Sequence, residues 1–339
     1  MSVRLGIQWS PIISGLILIG VSCVMAEVKQ GPDWVLVNEQ ADWQARDSQG
    51  EFVHDDHMWI LGGWFTPQTP NPRDVWKSPD GKQWTCTVEV APWEHSDLSV
   101  ALVFDGKMWF MGGRKLPGAE NSNKVWSSID GAEWTLESAG AGWCPRVSPA
   151  FTVFKDRMWV MGGTENFYAD TDVNLKNDVW SSADGKDWRL EIAHAPWARR
   201  TNPKAIVFDN KMWLMGGGRW TPETVPMNDV WCTEDGAEWT QVLDAAPWKP
   251  RMWFETVVYR DRLWVLGGWN RFNGNFGDVW YTKDGKNWTE LKSDVIWNNR
   301  HELSAVVFKD KIWVYGGYAD VLNSEVWTLE LPEDWPDDE

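Results

Sequence analysis

Three consecutive residues near the C-terminus have the side chains that acid–base chemistry needs. Arg300, His301 and Glu302 stand next to one another, and an imidazole beside a carboxylate can take up and release a proton near neutral pH. Glu255, two residues after Trp253, is the next candidate. Carboxylates at strand ends usually pair with neighbouring basic groups, so these four residues are candidates for catalysis and not an assignment.

A second set of residues is suited to binding a sugar. Five arginines each stand three residues after a tryptophan, and Ser96 takes the sixth place; they are Arg46, Arg146, Arg200, Arg251 and Arg300. Aromatic residues occur near them in sequence: Trp64, Trp220, Trp253, Trp269 and Tyr318. Rings stack on the apolar faces of a pyranose, while guanidinium and carboxylate groups fix its hydroxyl and acid groups. The alternative is that each arginine pairs with a carboxylate inside the fold.

The chain lacks the residue patterns of several well-known metal, cofactor and catalytic sites. Cys86, Cys144 and Cys232 are far apart in sequence and have no metal-ligand spacing, which argues against both a zinc site and a disulfide framework. Of the five histidines, His54 and His57 are close in sequence, and the other three are far from them and from one another. The chain contains no phosphate-binding loop, nucleophile elbow or dinucleotide-binding glycine motif. We therefore predict no metal and no cofactor.

The charge of the chain limits its partners. Its 32 lysines and arginines stand against 49 aspartates and glutamates, a net charge of −17. So strong a negative charge repels nucleic acid phosphates and anionic lipid surfaces. We expect neither partner.

The elements that must position these residues are given by the spacing of tryptophan and glycine. Of 30 tryptophans, 24 recur at fixed positions around six glycine pairs that lie about 50 residues apart. The pairs begin at Gly62, Gly112, Gly162, Gly216, Gly267 and Gly316. Such a period is typical of repeat architectures.

Each repeat contains four extended stretches. In the third repeat they are residues 150–154, 158–161, 178–182 and 188–191, and an Asp-Gly turn joins the last two. Four short antiparallel strands per repeat predict one blade of a propeller, so the six repeats predict an all-β, six-bladed β-propeller. Residues 34–37 carry the last part of a repeat, so they should supply the outer strand of the last blade and close the ring.

One end of the propeller should carry the function. The loops between each glycine pair and the next framework tryptophan vary in length, whereas the hairpins at the other end are short and uniform. Function tends to lie in variable loops on a rigid scaffold. We therefore expect the five arginines to ring the central opening on this end, with Trp64, Trp220, Trp253 and Trp269 beside them.

The repeat resembles the kelch family over residues 34–327. In the second repeat the matching features are the apolar strand that leads from residues 103–104 to the glycine pair at residues 112–113, and two later aromatics at fixed spacing. The resemblance implies a propeller. Galactose oxidase, a kelch-type enzyme, needs two histidines and two tyrosines at copper, a set that this chain does not place together. Exported bacterial kelch propellers include sialic acid mutarotases, which implies a mutarotase or epimerase as the alternative function.

The N-terminus resembles an export signal. An apolar run over residues 11–24 is followed by Ala26, which suits cleavage. We predict a signal peptide at 1–26, a propeller at 27–335 and an acidic tail at 336–339. The mature protein would then be periplasmic or extracellular, monomeric and without a transmembrane segment. Lipid anchoring at Cys23 is the weaker alternative, because Gly20 stands where such signals usually carry leucine.

The sequence thus leaves two classes of function open. The favoured one is a non-catalytic module that binds a glycan or a protein on the loop-rich end. The other is a sugar isomerase that uses Glu255, Arg300, His301 or Glu302.

Overall fold

The structure is a computed structural model that describes residues 26–335. The predicted signal peptide, apart from Ala26, and the predicted acidic tail lie outside this range. The described chain is all-β. Within it, no helix is long and apolar enough to cross a membrane. Its three cysteines are free thiols.

Six blades of four antiparallel strands, numbered here in chain order, confirm the predicted propeller. The innermost strands are Gly50–His54, Asp97–Phe104, Ala150–Phe154, Lys204–Phe208, Glu255–Tyr259 and Ser304–Phe308. The second strands are His57–Leu61, Lys107–Lys115, Arg157–Met161, Lys211–Met215, Arg262–Leu266 and Lys311–Tyr315. The third strands are Val75–Ser78, Val125–Ser128, Val179–Ser182, Val230–Thr233, Val279–Thr282 and Val326–Leu329. The outer strands are Thr85–Val88, Thr135–Ser138, Arg189–Ile192, Trp239–Leu243, Trp288–Lys292 and, for blade 6, Val35–Asn38.

The innermost strands surround a central axis, because each contacts the innermost strand of the next blade and blade 6 contacts blade 1. Short strands lie within the variable loops at one end of this ring. They are Glu120–Asn121, Gly218–Arg219, Val225–Pro226, Trp269–Asn270, Gly274–Asn275, Tyr318–Ala319 and Val321–Leu322. These loops are the ones that the sequence assigns to the functional end.

The N-terminal strand closes the ring as predicted. Val35–Asn38 pairs antiparallel with the third strand of blade 6, with Leu36 opposite Trp327. Trp34 meets Trp297 edge to face at 5.9 Å, the contact that the other five blades make with their own tryptophans. A further strand, Glu27–Gln30, runs parallel to the outer strand of blade 5 and was not predicted.

The repeated tryptophans are structural. In the second strands each indole N–H donates to a carbonyl five residues earlier, as Trp159 does to Phe154 at 2.9 Å. In five of the third strands the indole N–H donates to the carboxylate two residues before it, as Trp180 does to Asp178 at 2.8 Å. Each edge-to-face pair of buried indoles adds about 0.5–1.5 kcal/mol beyond the area that it buries.

The Asp-Gly turns join neighbouring blades. In blade 3 the Gly185 N–H donates to Ser182 Oγ at 2.8 Å, and Asp184 Oδ1 accepts the Lys186 N–H at 2.9 Å. Gly185 has φ +73°, and a Cβ there would lie 2.1 Å from the Trp109 ring of blade 2. Glycine is therefore required both by the turn and by the close approach of the preceding blade.

Candidate functional site

The five predicted arginines are buried in ion pairs. Arg146 Nη1 lies 2.6 Å from Asp178 Oδ1, and Nη2 lies 2.8 Å from Oδ2. Nη1 also donates to the Gly162 carbonyl at 2.9 Å. The other four make the same kind of pair, namely Arg46 with Asp74, Arg200 with Asp229, Arg251 with Asp278, and Arg300 with Glu325.

These arginines therefore do not ring the central opening, which corrects the prediction. Their side chains are at most 1% exposed. Each holds the glycine pair and third strand of its own blade. Its backbone carbonyl also accepts an N–H from the preceding blade in four cases, as Arg200 does from Gly163 at 2.9 Å. Their geometry is that of the alternative interpretation, in which each arginine pairs with a carboxylate inside the fold.

Blade 2 lacks both members of this pair. Ser96 stands where the others have arginine, and Lys124 stands where they have an acid. Ser96 Oγ donates instead to the Pro72 carbonyl at 2.6 Å. Because both partners are replaced together, no uncompensated charge is buried at this junction.

The aromatic residues, by contrast, do meet. Trp64, Trp220, Trp253, Trp269 and Tyr318 all line one cavity of about 460 Å³ on the loop-rich end. Trp220 lies 5.0 Å from Trp253 and 5.4 Å from Trp269, so three of the rings form one wall. Such a concave, mostly apolar surface is typical of ligand sites.

Blades 2 and 3 extend this wall. Phe167 packs 6.3 Å from Trp220, and both Phe167 and Tyr168 line the cavity. The Arg114 guanidinium lies over the Phe167 ring at 4.7 Å and forms an ion pair with Asp97. Its charge is thus used within the wall of the cavity.

Below the aromatic cavity lies a ring of six residues, one from each blade. Each has a left-handed backbone with φ between 51° and 55°; they are Ser48, Leu98, Ser148, Asn202, Trp253 and Glu302. All six line a second cavity of about 70 Å³ on the axis, and four of them, Ser48, Leu98, Trp253 and Glu302, also line the aromatic cavity. These four, with Asp47, Asp97 and His301 beside them, form the floor of the aromatic cavity. The ring therefore separates an outer aromatic cavity from a small inner one.

The floor is acidic. Burial and the neighbouring Glu302 raise the pKa of Asp47 well above its usual range. Burial and the charge of Asp97 raise the pKa of Glu302 to about 7. Burial also raises the pKa of Asp97, against the opposing effect of Arg114. With three carboxyl groups here and one guanidinium, that of Arg114, in the adjoining wall, the floor favours hydrogen-bond donors and cations over anions.

His301 stands at the edge of this floor. Its ring lies 5.5 Å from Trp253 and 5.4 Å from Tyr318. Its Nδ1 lies 2.6 Å from Asn275 Oδ1. Burial lowers its pKa to about 4, so the imidazole is neutral near pH 7.

The inner cavity holds a different set of charges. Lys204 Nζ forms an ion pair with Glu255, and Glu51 lines the same space. Burial raises the pKa of Glu255. Burial and the negative charge of Glu255 together raise the pKa of Glu51. Glu255 therefore lies below the floor and not in the aromatic cavity.

Two of the four catalytic candidates lie together, while the others do not join them. His301 and Glu302 both line the aromatic cavity. Arg300 is buried against Glu325, and Glu255 is paired with Lys204. The predicted set thus separates into two residues at the cavity and two inside the fold.

Two residues that line the cavity are not among those that the sequence predicts for the site. Asp47 was not selected, although it directly follows one of the repeated arginines. Arg114 directly follows a glycine pair, at the position equivalent to Trp64 and Trp269. These two positions pair across the loop-rich end in all six blades, as Asp47 does with Trp64. The available signal was the change of residue type at fixed positions of the repeat.

A family model described as the KLHDC2/KLHL20/DRC7 Kelch-repeats domain matches residues 48–268 and 100–317. Together the two matches cover well over half of the chain. No curated protein matches the chain significantly.

Proposed function

This chain belongs to the kelch-repeat domain family, and on that basis we propose that it is a binding module whose ligand occupies the aromatic cavity on the loop-rich end. Kelch propellers are generally protein-interaction modules. The observation that carries the proposal is that four of the five described tryptophans outside the repeated positions, together with Tyr318, line one cavity.

The ligand that this cavity fits best is a neutral carbohydrate. The rings supply stacking platforms, and the carboxyl groups of Asp47, Asp97 and Glu302 accept hydrogen bonds from hydroxyl groups. The five arginines expected to bind acid groups are engaged in internal pairs. An acidic sugar is therefore disfavoured. A mutarotase is not favoured either, because only two of its four candidate residues lie at the cavity.

Binding to a glycan array, followed by calorimetric titration of each positive glycan, tests this proposal. Trp220→Ala removes the ring that contacts Trp253, Trp269 and Phe167, and we expect at least about fivefold weaker affinity, since stacked rings contribute roughly 1–3 kcal/mol. Phe272→Ala is the matched control, because that ring is 73% exposed and does not line the cavity.

Two results would contradict the carbohydrate assignment. One is the absence of binding to any glycan; the other is a glycan whose affinity is the same in Trp220→Ala as in the wild type. A protein ligand is the second candidate, because the family is one of protein-interaction modules. In that case Trp220→Ala, and not Phe272→Ala, should weaken binding of the partner protein.

We also propose that the protein is exported. The support is the apolar run at residues 11–24 and Ala26 after it. Mass determination of the protein recovered outside the cytoplasm should give a chain that begins at Glu27. Recovery of the full-length chain in the cytoplasm alone would contradict export.

A further inference from the structure

Three metal-ligating side chains meet at the floor of the aromatic cavity. One ligand atom from each of Asp47, His301 and Glu302 lies within 4.8 Å of those of the other two. They come from opposite ends of the sequence and meet because blade 6 closes against blade 1. All three line the same cavity.

The imidazole is oriented as in a metal ligand. The Asn275 side-chain N–H donates to the Tyr318 carbonyl at 3.1 Å, which places Asn275 Oδ1 toward His301. Nδ1 must therefore carry the proton that it donates to Oδ1, and Nε2 keeps a free lone pair. A ligating histidine in proteins usually has its other nitrogen held in this way by an oxygen acceptor.

The two carboxylates lack a cation of their own. Asp47 is 4% exposed, and its Oδ1 has no hydrogen-bond partner. In the described part of the chain neither Asp47 nor Glu302 forms a salt bridge. The nearby cations are already paired, Arg114 with Asp97 and Lys204 with Glu255. A buried acceptor without a donor, such as Asp47 Oδ1, is costly, so this arrangement calls for a bound cation.

From this geometry we infer that Asp47, His301 and Glu302 bind a divalent transition-metal ion at the floor of the cavity. An imidazole with two carboxylates suits Zn²⁺ or Mn²⁺ better than Mg²⁺ or Ca²⁺, which prefer oxygen ligands alone. Metal–ligand distances of about 2.1 Å require ligand atoms roughly 3.4 Å apart in tetrahedral geometry, so small side-chain rotations complete the site.

Three protein ligands leave one coordination position open. Because all three side chains line the aromatic cavity, that position faces the space where we propose that the ligand binds. A hydroxyl or carboxylate oxygen of a ligand would fill it. The metal site itself rests on the three side chains and does not depend on the proposed function.

Calorimetric titration of the chelator-treated full-length protein with ZnCl₂ and MnCl₂ at pH 7.5 tests the inference without any ligand. We expect one ion per chain and a higher melting temperature in its presence, because the ion binds the folded state alone. MgCl₂ at the same concentration should leave the melting temperature unchanged. Saturable binding of Mg²⁺ or Ca²⁺ with equal affinity would overturn the choice of metal.

Variants separate this site from adventitious binding. His301→Ala should abolish the stoichiometric binding, and Asn275→Ala, which removes no ligand, should weaken it 10- to 100-fold. His194→Ala is the matched control, since His194 is an exposed histidine outside the cavity. If His301→Ala melts like the wild type without metal and still binds one ion, the inference is wrong. No binding by the wild type overturns it as well.

Discussion

A buried guanidinium destabilises a fold unless a carboxylate partner is present. This protein contains five such arginine–carboxylate pairs and one blade in which both members are replaced. In five blades an arginine and an acid are both present, and in blade 2 both are absent together. The pairs are thus units of two residues. Losing one member should be more harmful than losing both.

Arg146→Ser should lower the free energy of unfolding by about 3–5 kcal/mol, because the Asp178 carboxylate loses its buried partner. Chemical denaturation monitored by tryptophan fluorescence measures this change. The double variant Arg146→Ser with Asp178→Lys reproduces the pair of blade 2, Ser96 and Lys124, and should recover more than half of the loss. A double variant as unstable as the single one would contradict pairwise coupling.

For single residues, the sequence shows which positions recur in the repeats better than it shows what each side chain does. The repeated arginines were found, but a fixed distance from a tryptophan does not tell whether a side chain points to solvent or into the blade. Trp253 and Glu302 were selected, whereas Ser48 and Leu98, at the same position of other repeats, were not. The small and apolar members of that ring carry no chemical signal, so only the backbone geometry reveals the set.

Among the elements, the Asp-Gly turn determines how blades pack. Five such turns place a glycine against the second-strand tryptophan of the preceding blade; they are at Gly81, Gly131, Gly185, Gly236 and Gly285. The sequence predicted the turns from Asp-Gly alone. It could not show that the same glycine also makes the contact between blades, because that contact depends on how two sheets stack.

Gly185→Ala should therefore be far more harmful than an ordinary glycine change. The left-handed backbone costs roughly 1–2 kcal/mol, and the added Cβ, 2.1 Å from a Trp109 ring atom, adds roughly 1–3 kcal/mol of overpacking. Gly106→Ala is the control, since Gly106 has φ +69° but no atom within 4 Å of its Cβ position. Equal losses of melting temperature in the two variants would show that the contact with Trp109 contributes nothing.

Over the whole molecule, the six-bladed fold follows from the sequence because six repeats predict the same four strands. The cavity was readable in part. The tryptophans outside the repeated positions predict its wall. Its floor brings residue 47 next to residues 301 and 302. These residues are close in space only because the last blade closes against the first, which the spacing of residues along the chain does not show. The strand Glu27–Gln30 was missed because it belongs to no repeat.

The whole protein should be more stable near pH 5 than at pH 3 or at pH 8. The pKa of Asp74, Asp178, Asp229 and Asp278 is lowered by their arginines even though burial opposes it, so their stabilisation is present above about pH 4 and is lost as the pH falls through the lowered values. The pKa of Glu51 and Glu255 is raised by burial, so the folded state loses stability as the pH rises above about 4.3.

The net charge of −17 acts in the same direction, since repulsion decreases toward the isoelectric point of about 4.7. Melting temperatures measured from pH 3 to pH 8 test this expectation. A protein that is as stable at pH 8 as at pH 5, or that keeps its stability at pH 3, would contradict it.

The closing strand has a consequence for biosynthesis. Val35–Asn38 is made early but pairs only with Val326–Leu329, which is made last. During translation Val35–Asn38 has no partner strand until nearly the whole chain has been made, and a product that ends before Val326 cannot complete the last blade. Because the cavity floor needs both Asp47 and Glu302, a product that ends before Glu302 cannot form the site. Ring closure thus makes the site depend on two segments that are synthesised far apart in time.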